Sequence, residues 1–564
     1  MYKRFGWLAW LLACFLVLGI AGCGTTADPD PDPEDVTPPE ETEEPEETDD
    51  EIPVGGTFNQ WIYWEASSLN PILAGGNWFP TIYAFDPLIK YHYDGSVVPA
   101  LAESWDVSDD GTEYTFHLRD NVVWHDGTPF SARDVVFTIN AIFDENTRTT
   151  LRGPLTVEGT PVEVEMIDDH TVKFLLSAPY APFLSVLGGG WTSIRIVPEH
   201  LLADVSDINE ADFNMNPVGT GPFKFVSWSP DENVIMERND DYYKPVYLDR
   251  VVLKIIANAE ANVAAFEAGE LHNSYLYDVD VIRLRDHDRI RIYEVPGGGS
   301  AYLWTNVQKP MFADVRVRRA FAHAMDRDAI GQTVTMGLAG ISHNIYTQGG
   351  PHDWVYNANV PKYEYDVERA GELLEEAGWL EGNGLRVKDG QEFVFEHMGQ
   401  TGFKQYEEAN VLIQSYLEKV GVQMDIRLFE PSAFQDRLLS TEDPKPMDTH
   451  LTGRGPTSNF DPDFFTTFHS SQYPEGQNPY GYSNPRADEL LELGRTTVDE
   501  GARRDIYMEL QEVIMADIPY IPLYWFVNTT GVWDTVGGLP ENLTDDGYHM
   551  ICYFIEDLYI KSPR

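Results

Sequence analysis

Residues 100–137 read ALAESWDVSDDGTEYTFHLRDNVVWHDGTPFSARDVVF, three punctuated units in a row. A short segment ends at Val107, Asp109-Asp110-Gly111 turns the chain, and Tyr114, Phe116 and Leu118 then alternate with Thr115, His117 and Arg119. Alternation of period two beyond a Gly-containing turn predicts a hairpin. A second turn, Asp126-Gly127-Thr128-Pro129, leads to Ser131, which stands three residues before Asp134. Val135, Ile139, Ile142 and Phe143 follow at helical spacing, so a capped amphipathic helix is expected to begin there.

Outward from this stretch the punctuation continues. Asn216-Pro217-Val218-Gly219-Thr220-Gly221-Pro222-Phe223 has two glycines and two prolines in eight residues, a rigid turn feeding a strand from Phe223 to Val226. A phosphate-cradling reading of this loop fails, because no Lys-Ser/Thr follows and no helix opens there. Strands are expected at Thr171–Leu175, Val234–Arg238, Ala301–Asn306 and Gln423–Phe429. Helices are expected at 259–268 closed by Gly269, at 366–377 closed by Gly378, at 407–420 closed by Gly421, and around Ile506, Leu510, Val513 and Ile514 before Pro519. A further helix is capped by Asp314, with Val317, Ala320, Phe321 and Ala324 on one face and Arg316, Arg318 and Arg319 on a face expected to be solvated. Helices alternating with strands argue for an α/β architecture.

The ordered string of turn, strand, Trp124-His125-Asp126-Gly127-Thr128 and helix start closely resembles the signature of the family 5 extracellular solute-binding proteins. These are the oligopeptide- and dipeptide-binding receptors of ABC importers. The 216–223 turn, the run to Asn239-Asp240-Asp241-Tyr242-Tyr243 and the opening Leu69-Asn70-Pro71 match as well, so the resemblance covers essentially the whole mature chain. It implies an α/β type II periplasmic-binding-protein fold with two main lobes and an extra domain, the ligand lying between the lobes. The expected division is an N-lobe from 53–90, 216–299 and 528–564, an extra domain at 91–215 and a C-lobe at 300–527.

Length and charge agree with such a body. At 564 residues the chain exceeds one hydrophobic core, and a net charge of −53 repels polyanions, which excludes nucleic acid as a partner. Residues 24–52 hold 14 acids and no Lys or Arg, leaving 78 acids in the folded part. That surface suits either simple solubility or a saline surrounding. Lys3 and Arg4 precede an apolar run from Trp7 to Ile20 that ends Ile20-Ala21-Gly22-Cys23. This resembles a bacterial lipoprotein signal at 1–22, with Cys23 the lipidated residue and 23–52 an extended acidic, Pro-rich tether. Of the three cysteines only Cys552 then remains in the body, so neither an intrachain disulfide nor a cysteine metal cluster is expected.

Catalytic arrangements are weak. His92, His117 and His125 lack zincin or deaminase spacing, and no serine stands in a G-x-S-x-G elbow. A non-enzymatic binding protein without metal or cofactor is expected, a secreted hydrolase being the remote alternative. In dipeptide binders of the resembled family, an Asp three residues before an Asp-Pro pair meets the peptide amino group. Here the pair is Asp461-Pro462, and Ser458 stands at the matching place in GRGPTSNFDPDFF. The loop that carries a carboxylate-binding Arg in those proteins falls in 398–405, where Gln400 and Lys404 stand and no Arg does. Losing a charge-assisted partner costs about 2–3 kcal/mol, which disfavours short peptides held by both ends. A longer peptide gripped along its backbone is the expected ligand, and a neutral oligosaccharide stacked on aromatic rings is the alternative. Expected contacts are Trp64, Glu65 and Ala66; Trp304 and Asn306; Gln400 and Lys404; and Ser458, Asn459, Phe460 and Asp461, with Asp461 or Asp463 the acid that could stand in for the missing one. The expected partners are an ABC permease and, through Cys23, a membrane, with the receptor itself a monomer.

Overall fold

The computed structural model describes residues 52–561 except 64–66, 75–77, 93–94, 191–192, 439, 441, 443–444, 457–459, 475 and 542–550. The signal, Cys23 and the tether lie outside the described residues.

The hairpin forms as read, from Ala102–Val107 and Glu113–Leu118, with Tyr114, Phe116 and Leu118 buried on one face. Thr171–Leu175 and Glu163–Asp168 extend it to a four-stranded antiparallel sheet. The helix Ala132–Phe143 packs on that sheet, and its first turn is closed by the reciprocal Ser131–Asp134 capping box. The two signature turns lie against each other. Gly219 N donates to His125 Nδ1 (3.1 Å), His125 Nε2 donates to Gly221 O (3.0 Å), and His125 N donates to Gly219 O (2.8 Å). Glycine is required at 219 because a Cβ there would come 1.7 Å from the Ala84 carbonyl oxygen.

The main sheet has ten strands, in the order Phe223–Ser229, Asn233–Arg238, Arg250–Ile255, Thr57–Ile62, Asn273–Tyr275, Tyr520–Trp533, Ile290–Thr305, Thr449–Arg454, Val394–Gln400 and Gln423–Phe429. Arg250–Ile255, Thr57–Ile62 and Asn273–Tyr275 are parallel, as are the last three, and the long antiparallel pair Tyr520–Trp533 and Ile290–Thr305 joins the two sets. The register of that pair breaks between Pro296 and Ser300, across Gly297-Gly298-Gly299. Two hydrophobic cores meet at the same place. One includes Val295 and Val532, and the other begins at Ala301 and reaches Tyr524.

Two readings need correction. The helix expected from 407 starts at Lys404 and ends at Glu418. The arginine face of Val315–Ala324 is not solvated throughout. Arg318 is buried and donates to the carbonyls of Phe312, Ala313, Asp517 and Ile518, and Arg319 reaches Ala516 O. Helix Glu500–Asp517 leaves its last carbonyls without intrahelical donors, and a guanidinium fork satisfies several at once.

Candidate functional site: a crevice between opposed strand ends

Register locates the site. Ser300 pairs with Arg454 and Thr305 with Thr449, so the carboxyl end of Thr449–Arg454 points toward the break in the long pair. Tyr275 pairs with Thr530 and Asn273 with Val532, so the carboxyl ends of the other parallel set point toward the break from the opposite side. Ligands of open α/β sheets bind in the crevice outside the carboxyl ends of parallel strands. Here two such crevices face one another and merge.

The residues just past these ends are aromatic and polar. Tyr63 follows Thr57–Ile62, Tyr277 follows Asn273–Tyr275 and Phe403 follows Val394–Gln400; all three rings stay between 40% and 49% exposed. Exposed rings of this size in a folded body are available to stack on a ligand. Trp61 and Tyr275 pack against Tyr63 and Tyr277, with centroids at 6.0 and 5.3 Å, and Tyr406 stacks on Phe403 at 5.7 Å. Asp278, at the start of helix Asp278–Leu284, accepts a hydrogen bond of 2.5 Å from Gln405 Nε2 across the crevice. Burial holds the Asp278 carboxyl above its ordinary pKa, with the Gln405 donor acting in the opposite direction.

A cavity of about 550 Å³ opens between the hairpin module and the second half of the chain. Val107, Tyr114 and Leu184 wall it on one side, and Trp354, Phe460 and Arg503 on the other. Its size falls within the range of ligand pockets, about 300–1,000 Å³. Phe460 stacks on Tyr91 at 4.5 Å. Beneath it Asp461 holds Arg503 with both oxygens at 2.8 Å, and Asp463 holds Arg495 at 2.7 and 3.0 Å. Burial opposes the charge on Arg503, but the Asp461 carboxylate outweighs it and keeps the pKa raised. Both carboxylates are therefore committed to internal arginines, and their geometry fixes the backbone that carries Phe460.

The expected contacts divide. Gln400 ends its strand at the crevice, and Phe460 walls the cavity. Lys404 starts the adjoining helix with its side chain 86% exposed and directed to Glu408 (3.7 Å). Trp64, Glu65, Ala66, Ser458 and Asn459 lie outside the described residues. Trp304 and Asn306 are placed elsewhere. Their strand runs antiparallel to the set whose carboxyl ends form the crevice, so they fall at the far end of that half-sheet, Trp304 about 13 Å beyond Ser300 at 3.3 Å per residue and Asn306 just past the strand end. Trp304 is 4% exposed and stacks on His450 and Phe468, and the Asn306 amide donates to the Met447 and Lys445 carbonyls. Tyr63, Tyr277, Asp278, Phe403, Gln405 and Arg454 were not singled out from sequence. Their common signal is position at or just past the carboxyl end of a parallel strand, which requires knowing the register. Among the described residues no group of three His, Cys, Asp or Glu side chains forms a metal-ligand set.

Comparison with known proteins agrees with this geometry. Residues 96–476 match the family described as "Bacterial extracellular solute-binding proteins, family 5 Middle". The chain is 31% identical over 480 residues to the oligopeptide-binding protein AppA of Bacillus subtilis, covering 83% of this chain and 84% of that one. It is 30% identical over 440 residues to the dipeptide-binding protein of Escherichia coli, covering 75% and 80%. The solved structure of Bacillus subtilis AppA in complex with a nonapeptide superposes with a TM-score of 0.74 at 27% identity, covering 91% of this chain and all of that one. A crevice built for stacking and hydrogen bonding, on a fold shared along nearly the whole chain, places it with them: it belongs to the family 5 extracellular solute-binding proteins of ABC importers, which are binding receptors and not enzymes.

Proposed function

We propose that this chain captures oligopeptides in the crevice between two closing lobes and delivers them to an ABC permease, held at the outer face of a membrane by a lipid on Cys23. The observation that carries the reading is the pair of opposed strand ends, walled by Tyr63, Tyr277 and Phe403. A long crevice with aromatic walls and exposed strand-end backbone suits an extended chain that offers amide groups along its length. Relatives that bind oligopeptides and dipeptides support the same class. The lobes divide, in this proposal, as 53–90 with 216–299 and 528–564 against 300–527, with 91–215 as the extra domain and residues 296–300 and 525–528 as hinge. Ligand favours the closed form by binding it better than the open one. The 29 residues from 24 to 52 carry only like charges, repel themselves, and span up to about 100 Å when extended. The body acts as a monomer on that tether.

A thermal-shift screen of the purified soluble body against peptide and oligosaccharide libraries tests this. Peptides should raise Tm. Stabilisation by cellooligosaccharides with none by peptides overturns the ligand class and leaves the receptor role standing.

A further inference from the structure

The hairpin module packs with the first half of the molecule. Its Phe116, Trp124 and Phe183 share one hydrophobic core with Phe58, Val251 and Val295, and His125 ties it to Gly219 and Gly221. Helices Pro485–Thr496 and Glu500–Asp517 belong to the other half, where Leu490, Leu491, Leu510 and Ile514 lie in the second core. A contact between the module and the corner of these two helices therefore bridges the two cores, away from the long strand pair that joins them.

Such contacts are present. Ala181 N donates to Arg495 O (2.7 Å). Ala181 lies between strand Thr171–Leu175 and helix Phe183–Gly188, while Arg495 lies in the last turn of Pro485–Thr496, where carbonyls lack intrahelical donors. The neighbouring Gly494 O is taken by Arg503 Nε of the same half (2.7 Å), so the module supplies the donor that its own half does not. The Arg495 guanidinium lies 3.9 Å from the Phe465 ring of its own half and 5.9 Å from the Tyr180 ring of the module. Gly111, at the tip of the hairpin with φ of 68°, stands against Val498 between the two helices, and a Cβ at 111 would come 2.9 Å from Val498 Cγ1.

These groups can part at little cost. The helix-end carbonyl and the loop amide pass to water, Arg495 keeps the Asp463 carboxylate, and Val498 is half-exposed even in contact. No ion pair is broken. A permanent joint between domains is large and apolar, and this corner is neither. We infer that it is a releasable clasp: the module grips the Arg495–Val498 corner when the lobes close and lets go when they open, so ligand residence is set here as well as in the crevice. The inference rests on the two-lobe receptor reading above and adds the surface through which the extra domain acts.

Cysteines at 111 and 498 stand close enough for a disulfide to lock the corner, and Cys552 of the folded part is buried. By small-angle scattering without ligand, oxidised Gly111→Cys/Val498→Cys soluble body should have a smaller radius of gyration than the same protein reduced. Randomised nonapeptides bound before oxidation should leave about 10-fold more slowly or slower still, those added afterwards should be shut out, and dithiothreitol should reverse both. Equal radii with unaltered uptake and release overturn the clasp, because the corner is then a permanent joint. A smaller oxidised radius with no peptide bound in either state keeps the clasp and overturns the oligopeptide reading. Should the cysteines fail to pair or disturb the turn, charges at Val498 decide, since Asp109 and Asp110 precede Gly111 in the hairpin turn. Val498→Asp should then enlarge the ligand-free radius relative to Val498→Lys, and coincident radii overturn the inference.

Discussion

His125 links the two turns that are most legible in the sequence, and it can do so only as a neutral ring. Its Nδ1 accepts the Gly219 amide, so Nε2 carries the proton given to Gly221 O. Burial lowers its pKa to about 4, although the Gly221 carbonyl works in the other direction. In the unfolded chain the ring titrates near 6.5. Its contribution to stability is therefore complete above pH 6.5 and is lost as pH falls toward 4, a span worth about 3 kcal/mol. Tm measured against pH for wild type and His125→Gln should converge through that window, and parallel curves would remove the histidine from the account. The turn at Asp126-Gly127-Thr128-Pro129 beside His125 is local and legible, but the partner that gives the ring its work is 94 residues away and carries no local signal. Asp461 shows the opposite limit. Its place before Pro462 is visible in sequence, whereas its bond to Arg503 depends on the packing of helix Glu500–Asp517.

Elements were legible wherever their cause was local. The hairpin, the capped helix and the Gly-terminated helices follow from period, caps and turn residues within a few positions. Strand Ile290–Thr305 did not, because Pro296 and three glycines erase its alternation and only pairing with Tyr520–Trp533 makes it one strand of 16 residues. The misplacement of Trp304 and Asn306 has the same origin: a strand seen without its direction relative to its neighbours does not say which end meets the ligand. The difference between local and tertiary causes can be measured. Ser131→Ala removes one arm of a capping box and should cost about 1 kcal/mol. Gly219→Ala drives a Cβ to 1.7 Å from the Ala84 carbonyl and must move backbone, so it should cost well above the usual 0.5–3 kcal/mol range for single substitutions. Urea unfolding of both variants ranks them. A Gly219→Ala loss no larger than that of Ser131→Ala would show that the turn yields easily.

At the scale of the whole molecule, Asp278 and Gln405 form a polar contact that spans the crevice between the two sets of strand ends. Gln405 can donate to a carboxylate or to a carboxamide, and although its bond favours the charged form, burial outweighs that preference. Ionisation places a charge in a half-buried site with no cation to offset it, which is why its pKa lies above the ordinary carboxylate value. A group raised in this way stabilises the contact when protonated, and that stabilisation is lost as pH rises through its folded pKa. Near neutral pH the ionised carboxylate thus works against closure of an empty crevice, which leaves closure to the ligand. Asp278→Asn keeps an acceptor for Gln405 and removes the charge. Small-angle X-ray scattering of the ligand-free body should give a smaller radius of gyration for Asp278→Asn than for wild type at neutral pH. The two should approach one another as the solution is acidified toward the carboxylate range, with wild type moving and the variant staying. Coincident radii at every pH would mean that Asp278 does not bear on closure, and any resistance of the empty crevice would then have to be sought at the hinge proposed above, where the register of the long strand pair breaks between Pro296 and Ser300.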